Sequence, residues 1–203
     1  AFAATSFLYT GDDPVQQGVE PETIEERRVA VIRGQVHDRA GNPLVGVRIT
    51  IQGHPEFGHT HTREGGLFDL AVNGGGVLVV EYAKDGYLPA QRKVRTPWQD
   101  YVWAEDVVLV PLDAVANPVD LGGGAGVQVA RGSPVADEDG ARTATIVFPS
   151  GTQGVMEMPD GSTVPLGAVT VRATEYTVGD FGPQAMPGEL PPTSGYTYAA
   201  ELS

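Results

Sequence analysis

Three of the four histidines of this 203-residue chain stand close together, with one carboxylate among them: His54, Glu56, His59 and His61. On a strand, residues two apart face the same side, so His59 and His61 would present two imidazoles to a metal ion. With a further carboxylate they could bind zinc or copper. The alternative is a solvent-facing polar stripe beside Pro55. We favour the stripe, because His-x-His without further ligands is common by chance. We therefore predict no metal and no cofactor, with His54, His59 and His61 as the alternative ligands.

No other catalytic constellation is predicted. The chain has no cysteine, which excludes disulfides and thiolate ligands. A Ser–His–acid triad needs a serine near the histidines, and no serine lies between Ser6 and Ser133. The segment from Asp137 to Gly140 resembles part of a calcium loop but lacks the late glutamate of an EF-hand, which favours a tight acidic turn. The sequence therefore predicts a protein that is not an enzyme.

A cluster of aromatic residues is the stronger functional signal. Trp98, Tyr101 and Trp103 stand together, and the spacing of two places Tyr101 and Trp103 on one face of a strand. Such a cluster can pack against a core or a neighbouring domain, or it can form a platform for carbohydrate. We favour packing, and we predict that these three residues form an interaction surface.

The charge distribution limits the partners. The chain carries a net charge of -13, with eight bases against nine acids in 29–112 but three bases against eleven acids in 113–203. Most of this surface would repel a polyanion, so nucleic acid is not an expected partner. The basic run Arg92, Lys93 and Arg95 is expected on a solvent-facing strand. No apolar stretch approaches the roughly 20 residues of a membrane span.

Short β-branched runs separated by glycine-rich turns predict an all-β protein. Residues 29–112 are expected to form an antiparallel β-sandwich, preceded by an extended N-terminal arm over 1–28. The predicted strands of the sandwich cover 29–36, 45–51, 67–72, 77–82 and 101–110. The turn at Gly41, Asn42 and Pro43 separates the first two.

The remainder, residues 113–203, is predicted to be an incomplete β-rich domain. A glycine-rich joint covers 121–126, and predicted strands cover 143–148, 155–158, 163–166 and 169–176. The Asp160-Gly161 turn favours a hairpin between the second and third of these. The last strand, starting at Tyr196, is expected to lack a partner within this sequence. Between them, the proline-rich stretch 176–198 is expected to anchor on an external scaffold through Phe181, Met186 and Leu190.

The central pattern resembles a known family. Its motif is Gly34-x-Val36-x-Asp38-x-x-Gly41-x-Pro43-Leu44-x-Gly46-Val47, then Thr62-x-x-x-Gly66-x-Phe68 and Gly86-Tyr87. This pattern resembles the carboxypeptidase regulatory-like, or transthyretin-like, sandwich. The extensions His54-Pro-Glu-Phe-Gly58, Asn73-Gly-Gly75 and Pro97-Trp-Gln-Asp-Tyr101 resemble the transthyretin-like domain of teneurins and of bacterial Rhs/YD-repeat proteins. Residues 172–178 and 186–192 resemble the start of the fibronectin-like plug that follows it there.

That resemblance implies an architectural role. In the family, the transthyretin-like domain and the plug lie at one end of a hollow β-shell of YD repeats, and in many bacterial members the shell encloses a C-terminal toxin. The expected protein is thus a non-enzymatic assembly module, secreted or on the bacterial cell surface. Its expected partner is the YD-repeat β-shell of the same polypeptide or complex. A free-standing extracellular module that binds carbohydrate or protein is the alternative.

Overall fold

The computed structural model describes residues 2–138, 140–189, 191, 193 and 198–203. The chain divides into two compact units. The first comprises Ala1–Pro111 with Phe181–Gly195, and the second comprises Leu112–Asp180 with Tyr196–Ser203. The division into 1–28, 29–112 and 113–203 stays a prediction.

Two sheets form the body of the first unit. The strands described there are β1 (Val29–His37), β2 (Arg48–Ile51), β3 (Thr60–His61), β4 (Leu67–Asn73), β5 (Val77–Ala83), β6 (Ala90–Arg95), β7 (Tyr101–Trp103) and β8 (Val107–Val108). One sheet has the order β4-β1-β7, with β8 also paired to β1, and the other has the order β3-β2-β5-β6. Short helical turns accompany them: α1 (Phe2–Thr5), α2 (Gly182–Ala185), and 3₁₀ turns at Ser6–Leu8, Pro55–Phe57 and Glu64–Gly66.

The two sheets share one apolar core, because alternate residues of each strand face inward. Ile32 of β1, Ile49 of β2 and Leu70 of β4 are completely buried in it. Phe68 and Tyr82 join the sheets, with ring centroids 5.8 Å apart in an edge-to-face arrangement. Gly34 is required at this contact, since a Cβ there would lie 2.6 Å from the Phe68 ring. Burial raises the pKa of the Tyr82 hydroxyl.

The predicted all-β fold is confirmed, with one departure from antiparallel pairing. β7 and β8 both run parallel to β1. Val31 pairs with Tyr101, and Val36 pairs with Val107. From Tyr101 to Val107 the chain therefore advances six residues, while its partners on β1 advance five. The extra residue breaks the predicted strand 101–110 into two short ones, as a bulge does.

The N-terminal arm lies on the outer face of the β4-β1-β7 sheet. Leu8 packs against Val31 and Ala71 in a small apolar cluster. Gln16 is completely buried: its side-chain NH₂ donates to the carbonyls of Phe57 (2.7 Å) and Ala71 (2.9 Å), and its side-chain oxygen accepts from the Ala71 N–H (2.7 Å). One side chain thus holds the arm to two parts of the sandwich.

The second unit consists of two-stranded ladders. Its strands are β9 (Asn117–Asp120), β10 (Gln128–Arg131), β11 (Val135–Asp137), β12 (Gly140–Arg142), β13 (Thr145–Phe148), β14 (Gly154–Glu157), β15 (Thr163–Leu166), β16 (Ala168–Val171), β17 (Ala173–Glu175) and β18 (Ala200–Leu202). The predicted hairpin is confirmed as β14-β15. Val119, Leu121 and Ala130 form the buried cluster.

The expectation that the last strand lacks a partner is wrong. β18 pairs antiparallel with β17, with Thr174 opposite Glu201. Arg172 and Ser203 extend the ladder by exchanging backbone hydrogen bonds of 2.7 and 3.2 Å. The predicted strand 169–176 is divided into β16 and β17, and β17 pairs with β18. Strands this far apart in sequence carry no local pairing signal.

Among the described residues, no helix is long and apolar enough to cross a membrane.

Candidate interaction surface

The three predicted aromatic residues are exposed at one edge of the first unit, and we call them the aromatic patch. Trp98, Tyr101 and Trp103 are 62%, 41% and 57% exposed. Tyr101 and Trp103 face away from the core, whereas Val102 between them packs against it. Within the described part of the chain, β7 pairs only with β1, so no other strand lies along its outer edge, where the Tyr101 N–H donates to Oδ1 of the adjacent Asp100 at 2.8 Å. The patch therefore combines exposed rings with an unpaired strand edge.

Tyr101 is held in place by a charged neighbour. The guanidinium carbon of Arg33 lies 4.3 Å from the centre of the Tyr101 ring, within the range of a cation–π contact. Asp69 orients Arg33 through a 2.8 Å hydrogen bond and also binds Arg63. The ring is thereby oriented while it stays exposed, so the patch is ordered before any partner binds.

Trp98 is seated on the turn between β4 and β5. Its indole N–H donates to the Gly74 carbonyl at 3.0 Å. A Cβ at Gly75 would lie 1.9 Å from the indole nitrogen, and Gly75 has a φ of +98°. Both the space and the backbone conformation require glycine there. This contact explains in physical terms why the Asn73-Gly-Gly75 and Pro97-Trp98 motifs occur together.

The histidines do not form a metal site with the residues described. His59 and His61 lie with ring centroids 5.2 Å apart, while His54 Nδ1 lies 2.8 Å from a carboxylate oxygen of Glu56. The His54 contact lowers the pKa of the Glu56 carboxyl. Among residues 2–138, 140–189, 191, 193 and 198–203, no group of three or more histidine, aspartate or glutamate side chains could hold a metal ion. This geometry does not support the alternative prediction that His54, His59 and His61 bind a metal ion.

The acidic turn near Asp137 is neutralised by an arginine. Arg142 binds both carboxylate oxygens of Asp137, at 2.7 and 2.6 Å, and its Nε donates to Glu175 at 2.6 Å. These bonds raise the pKa of Arg142. The carboxylates of Asp137 and Glu175 are thus engaged within the second unit.

Two of the three residues predicted to anchor the 176–198 stretch lie in the first unit. Met186 is 1% exposed, and Phe181 is half-buried beside Gly41, where its ring would lie 3.2 Å from an added Cβ. Leu190 lies outside the described residues. Met186 is therefore buried within this chain.

Arg92 is the residue that fixes this stretch, and sequence reasoning missed it. Arg92 is 4% exposed and donates to the backbone carbonyls of Gln184 (2.8 Å) and Met186 (3.0 Å). Gln91 N–H donates to the Pro187 carbonyl at 2.8 Å, and Lys93 N–H to the Glu189 carboxylate at 2.9 Å.

Residues 184–189, which we call the strap, thus line the edge of β6. The expectation that the stretch 176–198 finds no partner within the chain is wrong for the strap. The edge strand β6 offers backbone N–H groups, and the buried Arg92 needs acceptors; the strap supplies them. The expectation that Arg92 faces solvent is also wrong. Inward-facing Ala90 and Val94 flank it at a period of two, which is the signal that could have found it.

The sequence of the first unit is similar to sequences of known proteins. Residues 24–109 match the family model described as "Teneurin TTR-like domain". This part of the first unit is similar to the TTR-like domain of teneurins. The chain is 40% identical over 98 residues to Teneurin-m of Drosophila melanogaster, and 36% identical over 92 residues to Teneurin-1 of Homo sapiens. These matches cover 48% and 45% of this chain but 4% and 3% of the relatives, so this chain spans a small part of their length.

Two solved structures resemble the chain distantly. A 3-chlorocatechol 1,2-dioxygenase from Rhodococcus opacus aligns with a TM-score of 0.36 at 14% identity, covering 46% of this chain and 64% of that one. A streptococcal ancillary pilin aligns with a TM-score of 0.35 at 14% identity, covering 91% of this chain and 60% of that one. Likeness at this level carries no functional argument for the TTR-like domain.

Proposed function

We propose that this chain is a non-enzymatic assembly module that caps a YD-repeat β-shell of the same polypeptide or complex. The TTR-like domain would bind the rim of the shell, and the second unit would form the start of the plug. The protein would act outside the cell or at the bacterial surface, where such a shell can enclose a toxin. The observation that carries the proposal is the aromatic patch on the open edge of β7.

The physics of strand edges supports this role. An open edge presents unpaired backbone N–H and C=O groups, which pair readily with a strand of another chain. The rim of a β-shell presents the same groups, so the two edges satisfy each other. Exposed tyrosine and tryptophan supply large contact areas with little loss of side-chain entropy, which is why they are enriched in interfaces.

Other surfaces of the first unit are already covered within this chain. Leu8 and Gln16 cover the outer face of β1 and β4, and the strap covers the edge of β6. Tyr101 and Trp103 lie outside these covered regions. The uncovered surface of the first unit therefore includes the patch most suited to a protein partner.

The test measures binding of this chain to a YD-repeat shell of the same protein made without residues 1–203. The variant Tyr101→Ala/Trp103→Ala should weaken binding by about thirtyfold, since central aromatic contacts contribute about 2 kcal/mol or more. Val77→Ala is the matched control, because Val77 is 50% exposed on the other sheet.

Equal binding by the aromatic variant and the control would contradict the proposal. Binding of the wild-type chain to an oligosaccharide array, lost in the aromatic variant, would favour the free-standing carbohydrate module instead. Circular dichroism and unfolding midpoints of each variant establish that the comparison is between folded proteins.

A further inference from the structure

A basic groove on the outer face of the β3-β2-β5-β6 sheet lies apart from the aromatic patch. It is a cleft of about 500 Å³, and the residues that matter here are Gly46, Arg48, His61, Lys84, Asp85 and Tyr87. Strand register brings them together: Arg48 of β2 pairs with His61 of β3 on one side and with Ala83 of β5 on the other. Lys84 follows Ala83 directly. Arg48 thus occupies the middle of the groove.

The cations of this groove have spare hydrogen-bonding capacity. Within the part of the chain that the structure describes, the exposed side chain of Arg48 makes no hydrogen bond and no ion pair. Lys84 Nζ donates one hydrogen bond, to the Val45 carbonyl at 3.0 Å, so two of its three N–H donors remain. Asp85 also lines the cleft. Two cations against one carboxylate leave this first hollow positive in a chain whose net charge is -13.

In the opposite sheet, by contrast, two arginines are paired with a carboxylate. Arg33 and Arg63 share the carboxylate of Asp69 there. Arg48 has no such partner. The charge of Arg48 also acts on His59. The pKa of His59 is lowered first by burial, then by Arg48 and then by His61. A positive potential that depresses the protonation of a histidine also attracts a carboxylate.

A second hollow continues the groove and sets the shape of its ligand. This hollow, of about 410 Å³, is lined by Gly18, Thr50, His59 and Glu81 among others, and Arg48 belongs to both hollows. A single carboxylate would occupy only the surroundings of one cation. The second hollow sets the Glu81 carboxylate against Arg48, so the carboxylates of a ligand belong at Arg48 and Lys84 in the first hollow, while its chain extends through the second.

We propose that the basic groove binds an extended acidic peptide segment of a partner protein, with its carboxylates on Arg48 and Lys84. Arg48 presents five N–H donors in a planar fork that fits a carboxylate with two parallel hydrogen bonds. The half-buried ring of Tyr87 supplies an apolar wall for the peptide backbone. Nucleic acid is disfavoured, because the rest of this acidic chain repels a continuous polyanion. This interaction goes beyond the shell-capping role and uses a different face of the domain.

The experiment uses the full 203-residue chain and a fluorescent synthetic peptide of alternating glutamate and serine, with a peptide of alternating glutamine and serine as its partner control. Anisotropy measures affinity for the wild type, for Arg48→Gln and for Arg95→Gln. Arg95 is the matched control, an exposed arginine on the same sheet outside the groove. We expect Arg48→Gln to weaken binding by about tenfold, and Arg95→Gln to change it little. Raising the salt should weaken wild-type binding.

Several outcomes would overturn the proposal: no binding of the glutamate peptide, equal binding of the glutamine peptide, or equal losses in Arg48→Gln and Arg95→Gln. Tighter binding of single-stranded DNA than of the peptide would assign the groove to nucleic acid instead. Chemical shifts of the His59 and His61 rings supply an independent readout, because a peptide seated at Arg48 must perturb them. Results with Tyr101→Ala/Trp103→Ala do not bear on this groove, so the two proposals fail independently.

Discussion

Arg92 donates a hydrogen bond to the backbone carbonyl of Met186, which lies 94 residues later in the chain. The same guanidinium binds the Gln184 carbonyl, so one buried cation binds two carbonyls at the C-terminal end of α2, just before Pro187. A buried arginine without acceptors would be strongly destabilising, which makes the strap part of the folded first unit.

The first prediction concerns that strap. Arg92→Gln removes the two charge-assisted hydrogen bonds to the strap, and it should lower the free energy of unfolding by about 2–4 kcal/mol. It should also open residues 184–189 to protease, while the wild-type chain resists cleavage there without any shell present. Arg95→Gln, an exposed arginine on the same strand, is the control. Rapid cleavage of the wild-type strap would show that it needs an external scaffold.

The second prediction concerns the arm. Gln16→Ala leaves the buried Ala71 N–H and the Phe57 and Ala71 carbonyls without partners, so the unfolding free energy should fall by about 2–3 kcal/mol. Gln17→Ala provides the matched control, because the side chain of Gln17 is exposed. Urea denaturation measures both. A similar small effect for the two variants would mean that the arm contributes little to stability.

A third prediction tests the seat of Trp98. Gly75→Ala places a Cβ against the indole and forces a positive φ on alanine, which should cost about 1–3 kcal/mol. The Trp98 emission should shift to longer wavelength as the ring leaves the turn. Gly76→Ala meets no atom within 4 Å and should change the emission little. Unchanged fluorescence in Gly75→Ala would argue against this seat.

The fourth prediction concerns pH. The pKa of His59 lies below its ordinary value, so the unfolded chain binds a proton at this position more readily than the folded one. Its contribution to stability is therefore present above the ordinary histidine pKa and is lost as the pH falls through the lowered one. Thermal unfolding between about pH 7.5 and about pH 5 should show this loss.

Two variants check its cause. His59→Gln should remove that part of the pH dependence. Arg48→Gln should reduce it by bringing the His59 pKa back toward its ordinary value, which an NMR titration of the ring measures directly. A His59 pKa that does not move in Arg48→Gln would show that burial and His61, without Arg48, account for the shift.

The sequence by itself determined the fold class, the hairpin at Asp160-Gly161 and the spacing of the aromatic patch. Each of these depends on neighbours within a few residues. Alternation at a period of two assigns faces to a strand, and Asp-Gly permits the positive φ of a tight turn. The motif around Gly34 and Gly41 was sufficient for the resemblance to the TTR-like domain.

Only the tertiary structure decided which distant groups satisfy one another. The Gln16–Ala71 bond, the β17-β18 ladder and the docking of the strap on Arg92 each join residues far apart in sequence. A buried donor needs an acceptor, but the sequence does not say where that acceptor lies. Arg92 and Arg48 are both arginines on strands of one sheet. Arg92 faces inward and is covered by backbone carbonyls of the strap, whereas Arg48 faces outward and keeps its donors free, because the packing of the whole unit sets their surroundings.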